Sequence, residues 1–345
     1  MKTYRPKQII LIIFFASLFK ADAQLQNTAF ASIDKRVKTI SALSPDTLAY
    51  KLTRPYKTET EKVRALFRWI TENIAYDVQG YHNVTGIYAG LWELAESSGA
   101  DDIYNEYNNR IVAKVLKEKK AVCDGYSRLF KTLCDYAKIK CEIVTGYIRW
   151  STDPIGAMTN REHAWNAVFI NNSWKLIDVT WASGYANHEV TQFTKRYNDF
   201  YFFTNPIHFF NDHYPADNKW SLMPITPTLY QFYNFPFYYP EFYKFKIISL
   251  KPITGYIDVP VKNKVVQIEL ELEEKVKDMY VYEYSEQDSV GNDVENTDWS
   301  TTKPQFRIDK KKIIYSYEVR SDKSDKLSVI LNDELILTYG VRILR

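Results

Sequence analysis

The sequence predicts an α+β fold followed by an all-β region, and three features carry that prediction. In "ETEKVRALFRWITENIAYD", Val63, Leu66, Phe67 and Ile70 recur at the i, i+3, i+4, i+7 offsets of one buried helical stripe. A second stripe, starting at Tyr126, gives way to "CEIVTGYIRW", "HAWNAVFI" and "WKLIDVTW", which are strand-like runs. From about Lys246 only alternating strand patterns with polar turns occur.

The chain of 345 residues opens with Lys2, Arg5 and Lys7, an apolar run from Ile9 to Phe19, and Ala21-Asp22-Ala23. This is the layout of a secretory signal peptide over residues 1–23, cut before Gln24, and its apolar run is short for a membrane span. No later stretch is apolar enough to cross a bilayer. The expectation is an exported protein, secreted or held in the periplasm or cell envelope, with no membrane span after cleavage.

Residues 29–44 and 59–73 have helical spacing, and Thr58 or Thr60 can cap the second helix. Residues 80–103 break the pattern with Gly80, Gly86, Gly90, Ser97, Ser98 and Gly99, which marks an insertion or loop region. Helical spacing resumes over 106–118, and Leu129, Phe130, Leu133, Cys134 and Ala137 form the next stripe. Residues 193–244 are dense in aromatics, as in "QFYNFPFYYPEFYKF", and read as a packed connector, because exposing that much aromatic surface would invite aggregation. The expected domains are 24–245, with its N-terminal helices and aromatic connector, and a β-sandwich over 246–345.

Lys and Arg number 45 against 42 Asp and Glu, a net charge of +3 with the signs interspersed, so no basic face for a nucleic-acid partner is predicted. Three cysteines are an odd count for an exported chain. Cys134 and Cys141 flank a short helix-to-strand connection, where they can pair or stay as buried thiols.

Cys123 stands at a predicted helix start, and a helix N-terminus beside an imidazole is the setting that activates a thiol. Of His82, His163, His188, His208 and His213, only His163 lies in a confident strand. If Asn171-Asn172 is a two-residue hairpin loop, paired residue numbers sum to 343. His163, Trp165 and Asp178 then share one side of the sheet, with Ala167, Phe169, Trp174 and Leu176 completing an apolar face expected to meet the helix. Each residue alone has a structural explanation, since free cysteines are usually buried and strand histidines usually packed or solvated. Together they point to a Cys123-His163-Asp178 site, with Trp165 a candidate for positioning substrate. A zinc site from Cys123, His163 and His213 lacks the close ligand pairs of structural zinc, and no metal or cofactor is predicted.

The strings Cys123-Asp124-Gly125-Tyr126, His163-Ala164-Trp165-Asn166 and Asp178-Val179-Thr180-Trp181, with the closing "DHYPADNKW", resemble the transglutaminase-like superfamily of papain-type cysteine enzymes, in its kyphoscoliosis-type branch. The resemblance covers roughly residues 45–225. It implies a papain/transglutaminase-like core in which the cysteine helix packs on an antiparallel sheet. It also implies Cys123 as nucleophile, His163 as base, Asp178 as orienting group, and an oxyanion hole from the Cys123 N–H and Tyr76. Asp124 would oppose thiolate formation if its charge pointed inward.

Such a trio performs acyl transfer, by hydrolysis of peptide or peptide-like amides or by transamidation. No D-x-D-x-D-G calcium loop is present, and an exported enzyme meets mostly water, so hydrolysis is favoured. The expected partner is a peptide or protein substrate, with a cell-envelope component as a partner for the C-terminal domain. The competing reading is a catalytically silent binding module on the same fold.

Overall fold

The computed structural model describes residues 30–83, 101–262, 264–284, 306–309, 311–320 and 324–344. The expected signal peptide at 1–23 and residues 84–100 of the expected insertion lie outside the described residues. The chain divides into two compact units, one of residues 30–152 and 159–232, the other including 153–158 and 233–345.

The first unit begins with helices α1 (30–37), α2 (Pro45–Thr53) and α3 (Glu59–Asn73). Thr58 caps α3: its hydroxyl accepts the Glu61 N–H while the Glu61 carboxylate accepts the Thr58 N–H, which satisfies two otherwise orphaned donors. Val63, Leu66, Phe67 and Ile70 are fully buried, as the helical stripe requires. Helices α4 (Val78–Asn83), α5 (Asp101–Glu118) and α6 (Cys123–Tyr136) follow. Two short strands, β1 (Ala75–Tyr76) and β2 (Lys120–Ala121), pair in parallel, Tyr76 opposite Ala121. That pairing brings Tyr76 beside the chain that enters α6.

The sheet of this unit has the order β8-β5-β4-β3-β9 and is antiparallel throughout. Its strands are β3 (Lys140–Ile148), β4 (Arg161–Ile170), β5 (Ser173–Ile177), β8 (Phe202–Thr204) and β9 (His213–Pro215). Strands β6 (Gly184–Ala186) and β7 (Phe193–Lys195) form a separate pair. The β4–β5 hairpin has the register read from the sequence, Ile170 opposite Ser173 through Asn166 opposite Ile177. Asn171 and Asn172 make the turn with φ of 48° and 62°, the left-handed region Asn tolerates.

The helix-facing side of the sheet differs from the expectation. The Asn166 amide donates to the Ser127 carbonyl of α6, and Cys141, on the same face, contacts both Asn166 and Cys134. The even-numbered face of β4 therefore meets α6, while Trp165 and His163 pack against Phe209, Trp181 and His213. Seven of the ten residues of β4 are buried, on both faces, so apolar alternation could not distinguish them.

The second unit is a β-sandwich. One sheet has the order β10-β18-β17-β14 with β12 parallel to β18, the other β11-β13-β16-β15. The strands are β10 (Phe237–Tyr238), β11 (Ile247–Lys251), β12 (Tyr256–Pro260), β13 (Val265–Leu272), β14 (Met279–Tyr284), β15 (Phe306–Asp309), β16 (Lys312–Glu318), β17 (Lys326–Leu331) and β18 (Glu334–Leu344). Ile268 and Leu270 from one sheet and Val281, Val329 and Leu337 from the other share one core. The aromatic segment joins this unit where Phe237 and Tyr238 pair with Thr338 and Leu337. Among the described residues no helix is long and apolar enough to cross a membrane.

Gly125, in the first turn of α6, is required by its surroundings. A Cβ there would lie 2.9 Å from the Ala121 Cβ and 3.1 Å from the Val115 Cγ2. Gly125→Ala should destabilise the first unit by about 1–3 kcal/mol through overpacking, measured by urea unfolding. Wild-type stability would show that α6 can move away without cost.

Candidate active site

Three segments converge at the N-terminal end of α6. Cys123 is the first helical residue, after Val122 in extended conformation, and is half-buried. The first N–H groups of a helix lack intrahelical partners and carry the positive end of its dipole, so this position favours a thiolate or an oxyanion. His163 lies on β4 and is 6% exposed. Asp178 follows the end of β5 and is fully buried.

His163 Nε2 lies 2.8 Å from Asp178 Oδ2, and the Cys123 thiol is close enough to act electrostatically on the same imidazole. With Nε2 given to Asp178, Nδ1 is the nitrogen left for sulfur. Asp178 Oδ1 accepts the main-chain N–H of Thr180 at 2.7 Å and of Trp181 at 3.0 Å. The Asp178-Val179-Thr180-Trp181 turn thus feeds two donors back to its own first side chain.

The electrostatics follow from burial opposed by charge. Burial alone would pull the His163 imidazole down, but the Asp178 charge, then Cys123, outweigh it and raise the group to about 10. Burial would push the Asp178 carboxyl up, but His163 and then His213 hold it well below the usual carboxylate range. Burial first, then the neighbouring Cys123 thiol, push the Tyr76 phenol well up. Tyr76 therefore lies within electrostatic reach of the thiol and keeps its proton at neutral pH.

Trp165 is buried beside His163, their rings stacked with centroids 6.2 Å apart. Its position inside the core makes it a wall of the imidazole cage rather than a surface open to substrate. Trp181 and His213 complete that cage, with centroids 5.8 and 5.4 Å from His163. Asp124 is drawn away by Arg128, whose Nε lies 2.9 and 2.8 Å from its two carboxylate oxygens. The charge beside the cysteine is thereby neutralised. Cys134 and Cys141 are buried free thiols.

His213 belongs to this site although no strand pattern surrounds it in the sequence. Its strand, β9, has only three residues and is held by pairing to β3 across Ile148. The signal available was the adjacent Asp212-His213 pair inside the closing string. Donor atoms of His163, Asp178 and His213 lie within 4.8 Å of one another. Both imidazole Nε2 atoms lie at hydrogen-bond distance from the same Asp178 oxygen.

Residues 46–179 match the family profile of the Transglutaminase-like superfamily. The chain thus carries a transglutaminase-like domain, and its relatives place that domain in the kyphoscoliosis peptidase branch. Human Kyphoscoliosis peptidase is 32% identical over 231 residues, covering 66% of this chain and 32% of that protein. The Lim and transglutaminase domain protein ltd-1 of Caenorhabditis elegans is 23% identical over 246 residues, covering 68% of this chain and 29% of its own length. A crystal structure described as a TGase is 19% identical, covers 45% of this chain and 38% of its own, and has a TM-score of 0.26. The chain spans about a third of the length of the curated relatives it matches.

Tyr126 ties the converging segments together. Its buried hydroxyl donates to the Ile74 carbonyl at 2.7 Å and meets the Ser183 hydroxyl at 3.1 Å. Tyr126→Phe leaves those partners buried, and should cost about 1–3 kcal/mol in chemical denaturation. A neutral result would show that water or Lys195, which also donates to the Ile74 carbonyl at 2.6 Å, replaces the bond.

Proposed function

We propose that this chain is an acyl-transfer enzyme with Cys123 as nucleophile, His163 as acid–base and Asp178 as orienting carboxylate, and that it hydrolyses peptide or peptide-like amides. The observation that supports this reading is the bond of His163 Nε2 to Asp178 Oδ2, with Cys123 at the start of α6 within electrostatic reach of the same imidazole. An imidazole held in that way can take the thiol proton and return it to a leaving amine.

The steps follow from that geometry. The Cys123 sulfur, its proton passed to His163 Nδ1, attacks the substrate carbonyl carbon and the C=O π pair moves to oxygen. The first-turn N–H groups of α6 and the Tyr76 hydroxyl are the donors for that oxyanion. The carbon–nitrogen bond then breaks, the amine leaves with the His163 proton, and a thioester remains on Cys123. Water, deprotonated by His163, attacks the thioester, releases the acid and restores the thiol. Export, expected from residues 1–23, supports water over an amine as the acceptor. The relatives named as peptidases agree with hydrolysis.

Iodoacetamide at neutral pH should alkylate Cys123 well before Cys134 and Cys141 in peptide mapping. Cys134 is buried, and burial, then Cys141, push its thiol well up, whereas Cys123 is half-buried beside an imidazole. Equal, slow labelling of all three would favour a silent binding module. With a substrate found by peptide profiling, Cys123→Ala should abolish turnover. Asp178→Asn should slow turnover by less than the roughly ten-thousand-fold seen for the equivalent change in a serine protease, because the thiolate–imidazolium pair leans less on the third group. Unchanged turnover with lower stability would make Asp178 a structural residue only.

A further inference from the structure

His213 is a second imidazole behind His163, and the reading above leaves it without a role. It is 1% exposed, with Nε2 3.0 Å from Asp178 Oδ2 and Nδ1 2.5 Å from Asp212 Oδ1. Asp212 is itself 4% exposed, and its other oxygen accepts the Tyr201 hydroxyl at 2.9 Å. A neutral imidazole has one N–H and one bare nitrogen. With both carboxyls ionised, the bare nitrogen of His213 in either neutral tautomer would face a carboxylate oxygen, lone pair against lone pair. Only the imidazolium donates to both.

We infer that His213 is a buried imidazolium and a positioning residue: it fixes the Asp178 carboxylate and partly neutralises it, and so sets the pH range in which His163 exchanges a proton with Cys123. The inference rests on the Cys123-His163-Asp178 reading above.

The alignment argument is geometric. Two main-chain N–H groups hold Asp178 Oδ1, while Oδ2 is shared between His163 at 2.8 Å and His213 at 3.0 Å. With both oxygens bound the carboxylate cannot rotate away from His163. The charge argument concerns strength. An isolated buried carboxylate would hold His163 as a tight imidazolium that releases its proton poorly. A second cation on the same oxygen, with its ring centroid 5.4 Å from His163, opposes that hold.

The charge on His213 is itself supported. Burial pulls the imidazole down, but Asp212 and then Asp178 outweigh it and raise the group. Phe209 stacks on the ring at 4.1 Å and Trp181 tilts over it at 4.6 Å, faces that favour a cation. Among the described residues, the titratable groups facing His213 include Asp178, Asp212, His163 and Tyr201. Arg149, a neighbouring buried cation, donates from Nε to the Asn211 carbonyl at 2.6 Å and from its guanidinium to Asn211 Oδ1 at 3.2 Å.

The test is the pH profile of Cys123 alkylation by iodoacetamide in the full chain, for the wild type, Asp212→Asn and His213→Gln. Asp212→Asn keeps the packing, and its amide can donate to a bare Nδ1 while Nε2–H still serves Asp178, so it discharges His213 without breaking the contact. The limb that reports loss of the His163 proton should move to higher pH by about one unit in Asp212→Asn, and by at least as much in His213→Gln. In wild-type protein, nitrogen-15 NMR of the histidine side chains should show both His213 nitrogens protonated at pH 8, and one bare nitrogen in Asp212→Asn. A wild-type limb that Asp212→Asn leaves in place overturns the inference, because a merely structural His213 would not move it. One bare His213 nitrogen in the wild type at neutral pH overturns it as well. A wild-type profile with no histidine limb at all instead overturns the Cys-His-Asp reading, and the NMR result then judges the imidazolium by itself.

Discussion

The organisation of the site depends on one buried carboxylate. Asp178 is fully buried, and an ion taken out of water at that depth survives only if its lone pairs are filled. Four donors fill them: the Thr180 and Trp181 N–H groups on Oδ1, and the His163 and His213 imidazoles on Oδ2. Because the carboxylate requires these donors, it determines the course of the turn after β5 and the orientation of two rings. Losing any one donor leaves part of a charge unpaired in the core.

The rest of the first unit delivers the thiol to that anchored imidazole. The parallel pairing of β1 with β2 brings Tyr76 alongside Ala121, two residues before Cys123. The absent Cβ of Gly125 lets α6 approach Ala121 and Val115 closely. Tyr126 bonds α6 to both the Ile74 carbonyl and the Ser183 hydroxyl, so the segments bearing Tyr76, Cys123 and the Asp178 turn share one fixed point. The Arg128–Asp124 pair, one turn apart on α6, removes a negative charge that would otherwise oppose a thiolate. Local electrostatics and packing therefore act on the same few atoms.

Much of this was legible in the sequence, for physical reasons that can be named. The β4–β5 register followed from the Asn171-Asn172 turn, because a two-residue loop leaves a single way to pair the strands. The α3 stripe and its Thr58 cap followed from helical spacing and capping chemistry. The face of β4 that meets α6 was misread, because Ala164, Asn166 and Val168 are as buried as Trp165 and Ala167. His213 escaped because a three-residue strand has no periodicity, and its partner Asp178 lies 35 residues away in the chain. Short-range patterns could reveal Asp178 and His163 on one hairpin, whereas a long-range hydrogen bond to a brief edge strand has no local signature.

The central claim is that Cys123 carries an acyl group during turnover. Its most direct measurement is acid-quenched peptide mass spectrometry after brief incubation with an activated acyl ester such as p-nitrophenyl acetate. The account predicts an acetyl mass on the Cys123 peptide in the wild type, and far less in a His163→Ala variant that still folds. Acylation spread evenly over Cys123, Cys134 and Cys141, or equal acylation of Cys123 with and without His163, would contradict it.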